Sequence, residues 1–328
     1  MTMLRAEALD EAAKALAAAE EVVLVCHVNP DADALGSLLG LASFLGRRGK
    51  QVAATWPNGL ADPPRWLEAL PGREYLVEPK ELPKAPSLLV TLDAADPARL
   101  AGLEHLLKKS AVVVCIDHHR TNPGFGTINV VDGEASATAE LVFRLIERMG
   151  GDLTPEVATC LYAGLVTDTG RFQYESASPE VLRIAAALRE QPFDHAALAQ
   201  ILYEDNSLPY LRLLGKVLDR AAHEAEADLV WTYLTRKDLK EAGVSIQETD
   251  DLIDVLRTAR EADVAAVLKE QREGGFKVSL RSRGKTDVAA VSAKFGGGGH
   301  RLASGYTSKQ DLEETTKTLA RALAEARG

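Results

Sequence analysis

Four short apolar runs in the first half of the chain constrain its fold most: VVLVC (22–26), QVAAT (51–55), SLLVTL (87–92) and AVVVCI (111–116). Each is too short for a buried helix and none alternates polar with apolar residues, so each reads as a strand buried on both faces. Helical patterns lie between them, at ALGSLLGLASFLGRRG (34–49) and DPARLAGLEHLLKKS (96–110). Asp96 suits the N-cap of the second and Pro97 its first helical position. Strands alternating with helices predict an α/β fold, a parallel, doubly wound sheet covered by helices. Helical patterns at 136–150, 154–170 and 178–191 extend this domain over residues 1–191. Residues 192–225 read as a helical connector, and 226–328 as a smaller α+β domain. Its strands are expected at 229–235, 262–271 and 275–283 and a helix at 287–295, before GGGGH.

At 328 residues, 46% apolar and 26% charged, the chain has room for two globular domains. No apolar stretch approaches the roughly 18–20 residues of a membrane span. The start, MTMLRAEALDEAAKALAAAEE, reads as an Ala-rich helix and not as a signal peptide, so a cytoplasmic protein is expected. Cys26, Cys115 and Cys160 are odd in number, far apart and without a CxxC pair, which predicts buried, reduced thiols. A net charge of -10 argues against a general binder of duplex DNA. Residues 269–309, however, hold nine Lys/Arg against three Asp/Glu. That local excess suits either a compact anionic ligand or a solvated basic face.

Ligands of open parallel sheets sit beyond the carboxyl ends of the strands. His27, Asp31 and Asp33 follow the first run, Asp93 the third, and Asp117, His118 and His119 the fourth; the helical LYAGLVTDTG brings Asp168. One Asp after a strand is commonly a cap or turn residue. Four segments that deliver carboxylates and imidazoles to one edge are harder to explain that way. Asp31, Asp33, Asp93 and Asp168 would repel one another there unless cations lay between them, and two divalent ions would neutralise them. A mixed oxygen and imidazole set favours manganese, with magnesium or cobalt as alternatives, over a thiolate zinc site. Two ions sharing a carboxylate and a water suit phosphoester hydrolysis. His118 and His119, adjacent on an extended stretch, are expected to point to opposite sides, so that one ligates and the other serves the substrate. Asp117 is expected to orient an imidazole through a hydrogen bond. Asp96, Asn29 and Ser37 read as cap and loop polar groups.

The stretches DHH (117–119), HVNPDADALGS (27–37), LDAAD (92–96) and GLVTDTGRF (164–172) resemble the four motifs of the DHH phosphoesterase superfamily. SLRSRG (279–284) and FGGGGHRLASG (295–305) resemble its associated C-terminal domain, and the match runs in order along almost the whole chain. The resemblance implies a two-metal site, usually manganese, in the cleft between two domains. It assigns His27 and Asp31 to one ion, Asp33, His118 and Asp168 to the other, and Asp93 to both. It implies a catalytic role for His119, at the phosphate or leaving oxygen, and Asp117, the expected partner of an imidazole, is grouped with it as catalytic. Arg281, Gly297, Gly298, Gly299 and His300 are expected to bind substrate, the glycines as a loop whose amides approach an anion; a flexible turn is the alternative. GRRGK (46–50) lacks the spacing of a P-loop.

Without a sensor region or an extra strand-rich domain, the chain resembles the compact bacterial branch of the superfamily. That branch degrades nanoRNA, short single strands of about 2–5 nucleotides, and dephosphorylates adenosine 3',5'-bisphosphate. Neighbouring readings are a phosphodiesterase for linear or cyclic dinucleotides, a RecJ-like single-strand exonuclease and a non-catalytic nucleotide-binding module. No membrane partner is expected, and a homodimer is left open.

Overall fold

The computed structural model describes residues 3–61 and 63–327, and the chain divides into two units between Asp205 and Asn206. In the first unit the order is α1 (Met3–Ala18), β1 (Glu21–Cys26), α2 (Ala32–Arg47), β2 (Gln51–Thr55), β3 (Leu88–Leu92), α3 (His105–Lys109), β4 (Val112–Asp117) and β5 (Ile128–Val131). Four helices follow: α4 (Thr138–Arg148), α5 (Pro155–Asp168), α6 (Pro179–Arg189) and α7 (His195–Tyr203). The first two residues of the stretch read as the opening helix lie outside the described residues.

The five strands form one parallel sheet in the order β2-β1-β3-β4-β5. The order reverses between β1 and β3, which makes the space beyond their carboxyl ends the place where such sheets hold ligands. Successive side chains alternate between two cores. Leu24, Cys26, Val90, Leu92, Val114 and Ile116 pack with α1, α2, α4 and α5. Val23, Val25, Leu89 and Val113 pack with Leu100, Leu103 and Leu106 on the other face. Helix α2 is buried from Ala32 to Leu45, as befits a helix apolar nearly all round. It approaches α5 closely through Gly36, where a Cβ would stand 2.4 Å from the Cys160 carbonyl oxygen. All three cysteines are buried and unpaired by disulfides.

The segment expected as one helix over 96–110 is broken. Asp96 caps a short 3-10 turn, Pro97–Leu100, by accepting the Ala98 and Arg99 amides. Left-handed backbone at Ala101 (φ 29°) and Gly102 (φ 90°) then ends it before α3. Strand β5, four residues and only partly buried, was not anticipated.

The second unit contains α8 (Leu208–Leu218), β6 (Ala222–Glu224), β7 (Leu229–Leu234), α9 (Arg236–Ala242), α10 (Leu252–Leu256), β8 (Val264–Glu270), β9 (Phe276–Ser282), α11 (Val288–Ala293), β10 (Gly298–His300), β11 (Ala303–Ser308) and α12 (Leu312–Arg327). Its six strands run β10-β11-β9-β8-β7-β6, parallel only between β7 and β8. Leu229, Leu268, Val278 and Leu280 meet α11 and α12 on one face, and Val230, Ala265 and Val267 meet α8 and α10 on the other. The fold is thus a parallel α/β unit followed by a smaller mixed-sheet unit. Among the described residues no helix is long and apolar enough to cross a membrane.

Candidate metal centre and active site

β1 ends at Cys26 and the chain turns through His27 and Asn29, whose left-handed backbone (φ 53°) an asparagine tolerates. The Val28 amide donates to the Arg99 carbonyl at 2.9 Å, and Asn58 Nδ2 donates to Asn29 Oδ1 at 3.0 Å, which holds this loop. Asp31 is the N-cap of α2: its Oδ1 accepts the amides of Asp33 and Ala34 at 3.1 and 3.0 Å. Its Oδ2 faces His27 Nε2 at 3.8 Å. Asp33, in the first turn of α2, instead caps a different helix. The Thr138 amide donates to its Oδ2 at 2.6 Å, and the Ala139 amide to its Oδ1 at 2.9 Å. A Cβ at Gly164 of α5 would stand 2.6 Å from Asp33 Oδ1, so glycine there makes room for the carboxylate.

Asp93 follows β3 in the left-handed region (φ 56°), which Asp adopts more readily than most residues. Its two oxygens face two ways: Oδ2 lies 3.4 Å from His27 Nε2 and Oδ1 lies 3.5 Å from His118 Nε2. His118 Nε2 also stands 3.2 Å from Asp168 Oδ2 and 4.0 Å from Asp33 Oδ2. Three-residue sets that could hold a cation include His27 with Asp31 and Asp93, Asp33 with His118 and Asp168, and Asp93 with Asp117 and His119. The spacings fit a shared cation, because two donors each about 2.1 Å from one ion lie roughly 3.0 to 4.2 Å apart. His27 Nδ1 lies 2.8 Å from the Val28 carbonyl, an acceptor, and 3.0 Å from Arg99 Nη2, a donor, and can serve only one of them; in the neutral ring that donates to Val28, Nε2 carries the lone pair that a metal needs.

Charge balance points the same way. Burial disfavours ionised Asp93, yet the imidazoles of His27, His118 and His119 hold its carboxyl far below the ordinary range. Burial and the Asp93 charge push Asp33 up to about 7, and burial together with Asp33, Asp31 and Asp93 pushes Asp168 well up. His27 is raised to about 10, because Asp31 and Asp93 outweigh the burial that opposes its charge. Protons thus take the place of positive charge among these carboxylates, and divalent cations would displace them.

His119 and Asp117 form a separate pair. His119 Nδ1 donates to Asp117 Oδ1 at 2.8 Å, and Asn122 Nδ2 donates to Asp117 Oδ2 at 2.7 Å. The two adjacent histidines do not diverge to opposite sides as extended backbone predicts: β4 ends at Asp117, and their rings meet edge to face with centroids 4.8 Å apart. Their partners nevertheless differ, since His118 faces Asp33, Asp93 and Asp168 while His119 faces Asp117 and Asp93.

Further residues shape this site. Arg99 Nη2 lies 3.0 Å from His27 Nδ1. Ser37, expected as a cap or loop polar group, is instead buried within α2, where its Oγ donates to Asp33 Oδ1 at 3.3 Å, and Thr138 Oγ1 donates to Asp93 Oδ1 at 2.9 Å. Beyond Asp168, the last residue of α5, Gly170, Arg171 and Phe172 are all left-handed, with φ of 56°, 61° and 62°. Such backbone costs roughly 1–2 kcal/mol at each non-glycine position. The buried Thr169 holds it, its hydroxyl donating to the Leu165 carbonyl at 2.7 Å and accepting the Phe172 amide at 3.1 Å. Arg171 adds its guanidinium over the Tyr203 ring at 4.0 Å.

In the second unit, Arg281 lies near the end of β9, with Nε 3.4 Å from Asp254 Oδ1. The stretch expected as a loop is in part an edge strand: Gly298, Gly299 and His300 form β10, exposed and antiparallel to β11. A Cβ would strike the Gly305 carbonyl at Gly297 (2.2 Å) and the Ala303 carbonyl at Gly299 (2.5 Å), whereas Gly298 has open space. The hairpin itself therefore requires two of these three glycines.

Comparison with known proteins agrees with this geometry. The model of the DHH family, N-terminal domain, matches residues 21–165, and that of the DHHA1 domain matches 227–326. The chain is 39% identical over 305 residues to the bifunctional oligoribonuclease and PAP phosphatase NrnA of Thermus thermophilus, across 93% of this chain and 89% of that one. It is 27% identical over 304 residues to the Bacillus subtilis protein of the same name, across 92% and 93%. The crystal structure of an exopolyphosphatase-related protein from Bacteroides fragilis superposes with a TM-score of 0.90 at 29% identity, covering 98% of this chain and 97% of that one. Motifs, fold and relatives converge, and the chain belongs to the DHH family of phosphoesterases.

Proposed function

We propose that this chain hydrolyses very short oligoribonucleotides to mononucleotides and dephosphorylates adenosine 3',5'-bisphosphate, with two divalent cations, manganese foremost. The observation that carries this reading is the Asp93 carboxylate, which turns one oxygen to His27 and the other to His118. His27, Asp31 and Asp93 would hold one cation, and Asp33, His118, Asp168 and Asp93 the other. When bound, such a pair supplies charge neutralisation at a phosphate and activation of the attacking water. The T. thermophilus and B. subtilis relatives bear the names oligoribonuclease and PAP phosphatase, which supports both substrates.

The chain's own groups supply the rest. Hydrolysis forms a bond from water oxygen to phosphorus and breaks the bond to the leaving oxygen, which must gain a proton. His119 is the group for that proton: although burial opposes its charge, the Asp117 hydrogen bond and the Asp93 carboxylate raise its pKa. Asp117, itself held by Asn122, fixes the ring so that the proton is presented in one direction. Arg281, His300 and the stretch Gly297, Gly298 and Gly299 would take a phosphate that is not being cleaved, although the Gly297 amide is already donated to the Ser292 carbonyl at 2.9 Å.

A substrate panel tests the reading. With manganese present, turnover should be high on 2-to-5-mers of RNA and on adenosine 3',5'-bisphosphate and should fall steeply towards 24-mers. Equal rates across all lengths would mean a processive single-strand exonuclease. Turnover confined to linear or cyclic dinucleotides would make those the substrates instead.

A further inference from the structure

The carboxylate proposed to serve both cations needs something to set its rotation. The terminal torsion of an aspartate is broad, and Asp93 can present one oxygen to His27 and one to His118 only over part of its range. The groups it faces as ligands cannot supply that restraint, since they are to be occupied by the cations. Thr138 stands apart from them. It is fully buried, it is not a metal-ligand type in this set, and its hydroxyl donates to Asp93 Oδ1 at 2.9 Å.

The position of Thr138 in its helix explains why the hydroxyl is available. Threonines inside helices commonly donate to the carbonyl four residues back, as Thr159, Thr167 and Thr316 do here to Pro155, Ala163 and Leu312. Thr138 is the first residue of α4, where the residue four back lies outside the helix. Its hydroxyl turns outward, and so does its amide, one of the helix's orphan donors. Ala137, at the N-cap, has no side-chain oxygen to take that amide. Asp33 takes it, through Oδ2 at 2.6 Å.

We propose that Thr138 is the positioning residue of the metal centre: its amide fixes Asp33 and its hydroxyl fixes Asp93, so that one residue sets the relative placement of two carboxylates 60 positions apart in the chain. This rests on the two-cation reading above. The amide bond uses one lone pair of Asp33 Oδ2 and leaves a second, with His118 Nε2 4.0 Å from that oxygen. The hydroxyl likewise uses one lone pair of Asp93 Oδ1 and leaves a second, with His118 Nε2 3.5 Å and His119 Nδ1 3.7 Å from that oxygen. Each carboxylate oxygen is thereby restrained without being spent.

The test uses the full-length protein stripped of metal and then titrated with manganese, followed by calorimetry and by the electron paramagnetic resonance signal of coupled manganese pairs. Thr138→Val keeps the amide and the side-chain shape but removes the hydroxyl. It should lower manganese affinity about 10–100-fold, the usual effect of losing a group that orients a ligand, and should weaken the coupled-pair signal at stoichiometric metal. Its kcat should fall with KM for the dinucleotide within about threefold, because no substrate contact is lost. Thr138→Ser should restore affinity, signal and kcat. If Thr138→Val does not fold, Thr138→Ala is measured in its place. Wild-type affinity and signal in the hydroxyl-free variant, beside a wild type that binds two manganese ions, would overturn the role of Thr138 and leave the two-cation reading standing. Equal losses in the serine variant would also overturn it, because the methyl packing and not the hydroxyl would then matter. A wild type that binds no manganese would overturn both.

Discussion

The first unit buries His27, Asp33, Asp93 and His118 together while leaving Asp31 exposed, whereas the second holds Arg281 partly buried and His300 at the surface. Asp33 is fully buried, Asp93 and His118 nearly so, and each faces several directed partners. Arg281 keeps a quarter of its side chain exposed beside one carboxylate at 3.4 Å, and His300 stands on an exposed edge strand. Burying like charges is costly, and the fold offsets that cost only where a fixed geometry of charge is needed. Groups that take and release a substrate phosphate stay solvated until it arrives. The contrast fits the proposal that the first unit would carry the chemistry and the second the recognition of a substrate phosphate.

The largest effect should come from Asp93→Ala, which removes the oxygens between His27 and His118. Turnover should fall by three orders of magnitude or more with the fold intact by circular dichroism; retention of a tenth of wild-type activity, a barrier change of only about 1.4 kcal/mol, would remove Asp93 from the centre of the account. Arg281→Ala and His300→Ala should lose about 30-fold or more in kcat/KM on dinucleotides and adenosine 3',5'-bisphosphate, chiefly through KM. On bis-p-nitrophenyl phosphate, which has no second phosphate, they should match wild type. Equal losses on both substrates would erase the division between the units.

Within the first unit the contrast can be sharpened. Asp33→Ala leaves the Thr138 and Ala139 amides buried without their acceptor, at about 1–3 kcal/mol each, partly offset by relief of the repulsion from Asp93. Asp31 is 59% exposed, so water should replace the acceptor lost in Asp31→Ala, at a cost of about 1 kcal/mol. Urea unfolding of the metal-free proteins should rank Asp33→Ala the less stable, and the opposite order would mean that repulsion outweighs capping.

A smaller effect follows from pH. The metal-free fold raises His27 to about 10 and Asp33 to about 7, so in the folded state both hold protons more tightly than in the unfolded chain. Their contribution is full below the unfolded values of about 6.5 and 3.9. It is lost as pH rises through about 7 for Asp33 and about 10 for His27. Manganese competes with those protons. It should therefore raise the melting temperature by several degrees more at pH 8 than at pH 5.5, as read by differential scanning fluorimetry. Equal shifts at the two pH values would mean that these groups do not hold the metal.

What could be read from the sequence follows the same divide. His27, Asp93 and Asp117–His119 were legible because each sits at the end of an uninterrupted apolar run, and a parallel sheet sends all such ends to one edge. The part played by Thr138 was not, because a backbone amide has no residue-type signature and its partner Asp33 lies 105 positions away. The left-handed turn after Asp168 was hidden by Arg171 and Phe172, residues that seldom adopt it. In the second unit, β11 reads ASGYTS and has little of the branched apolar content that marks a strand. The glycines before it therefore looked like a loop, though three of them lie in β10 or directly against β11.

The most direct measurement is of the metal itself. Protein dialysed against excess EDTA and then into chelator-free buffer should show no hydrolysis of a diribonucleotide. Titration with manganese should restore full turnover as the bound metal, counted by elemental analysis, approaches two ions per chain, and Asp93→Ala should fail to recover. Full turnover in the continued presence of EDTA, or full recovery by the Asp93→Ala protein, would contradict the two-cation centre.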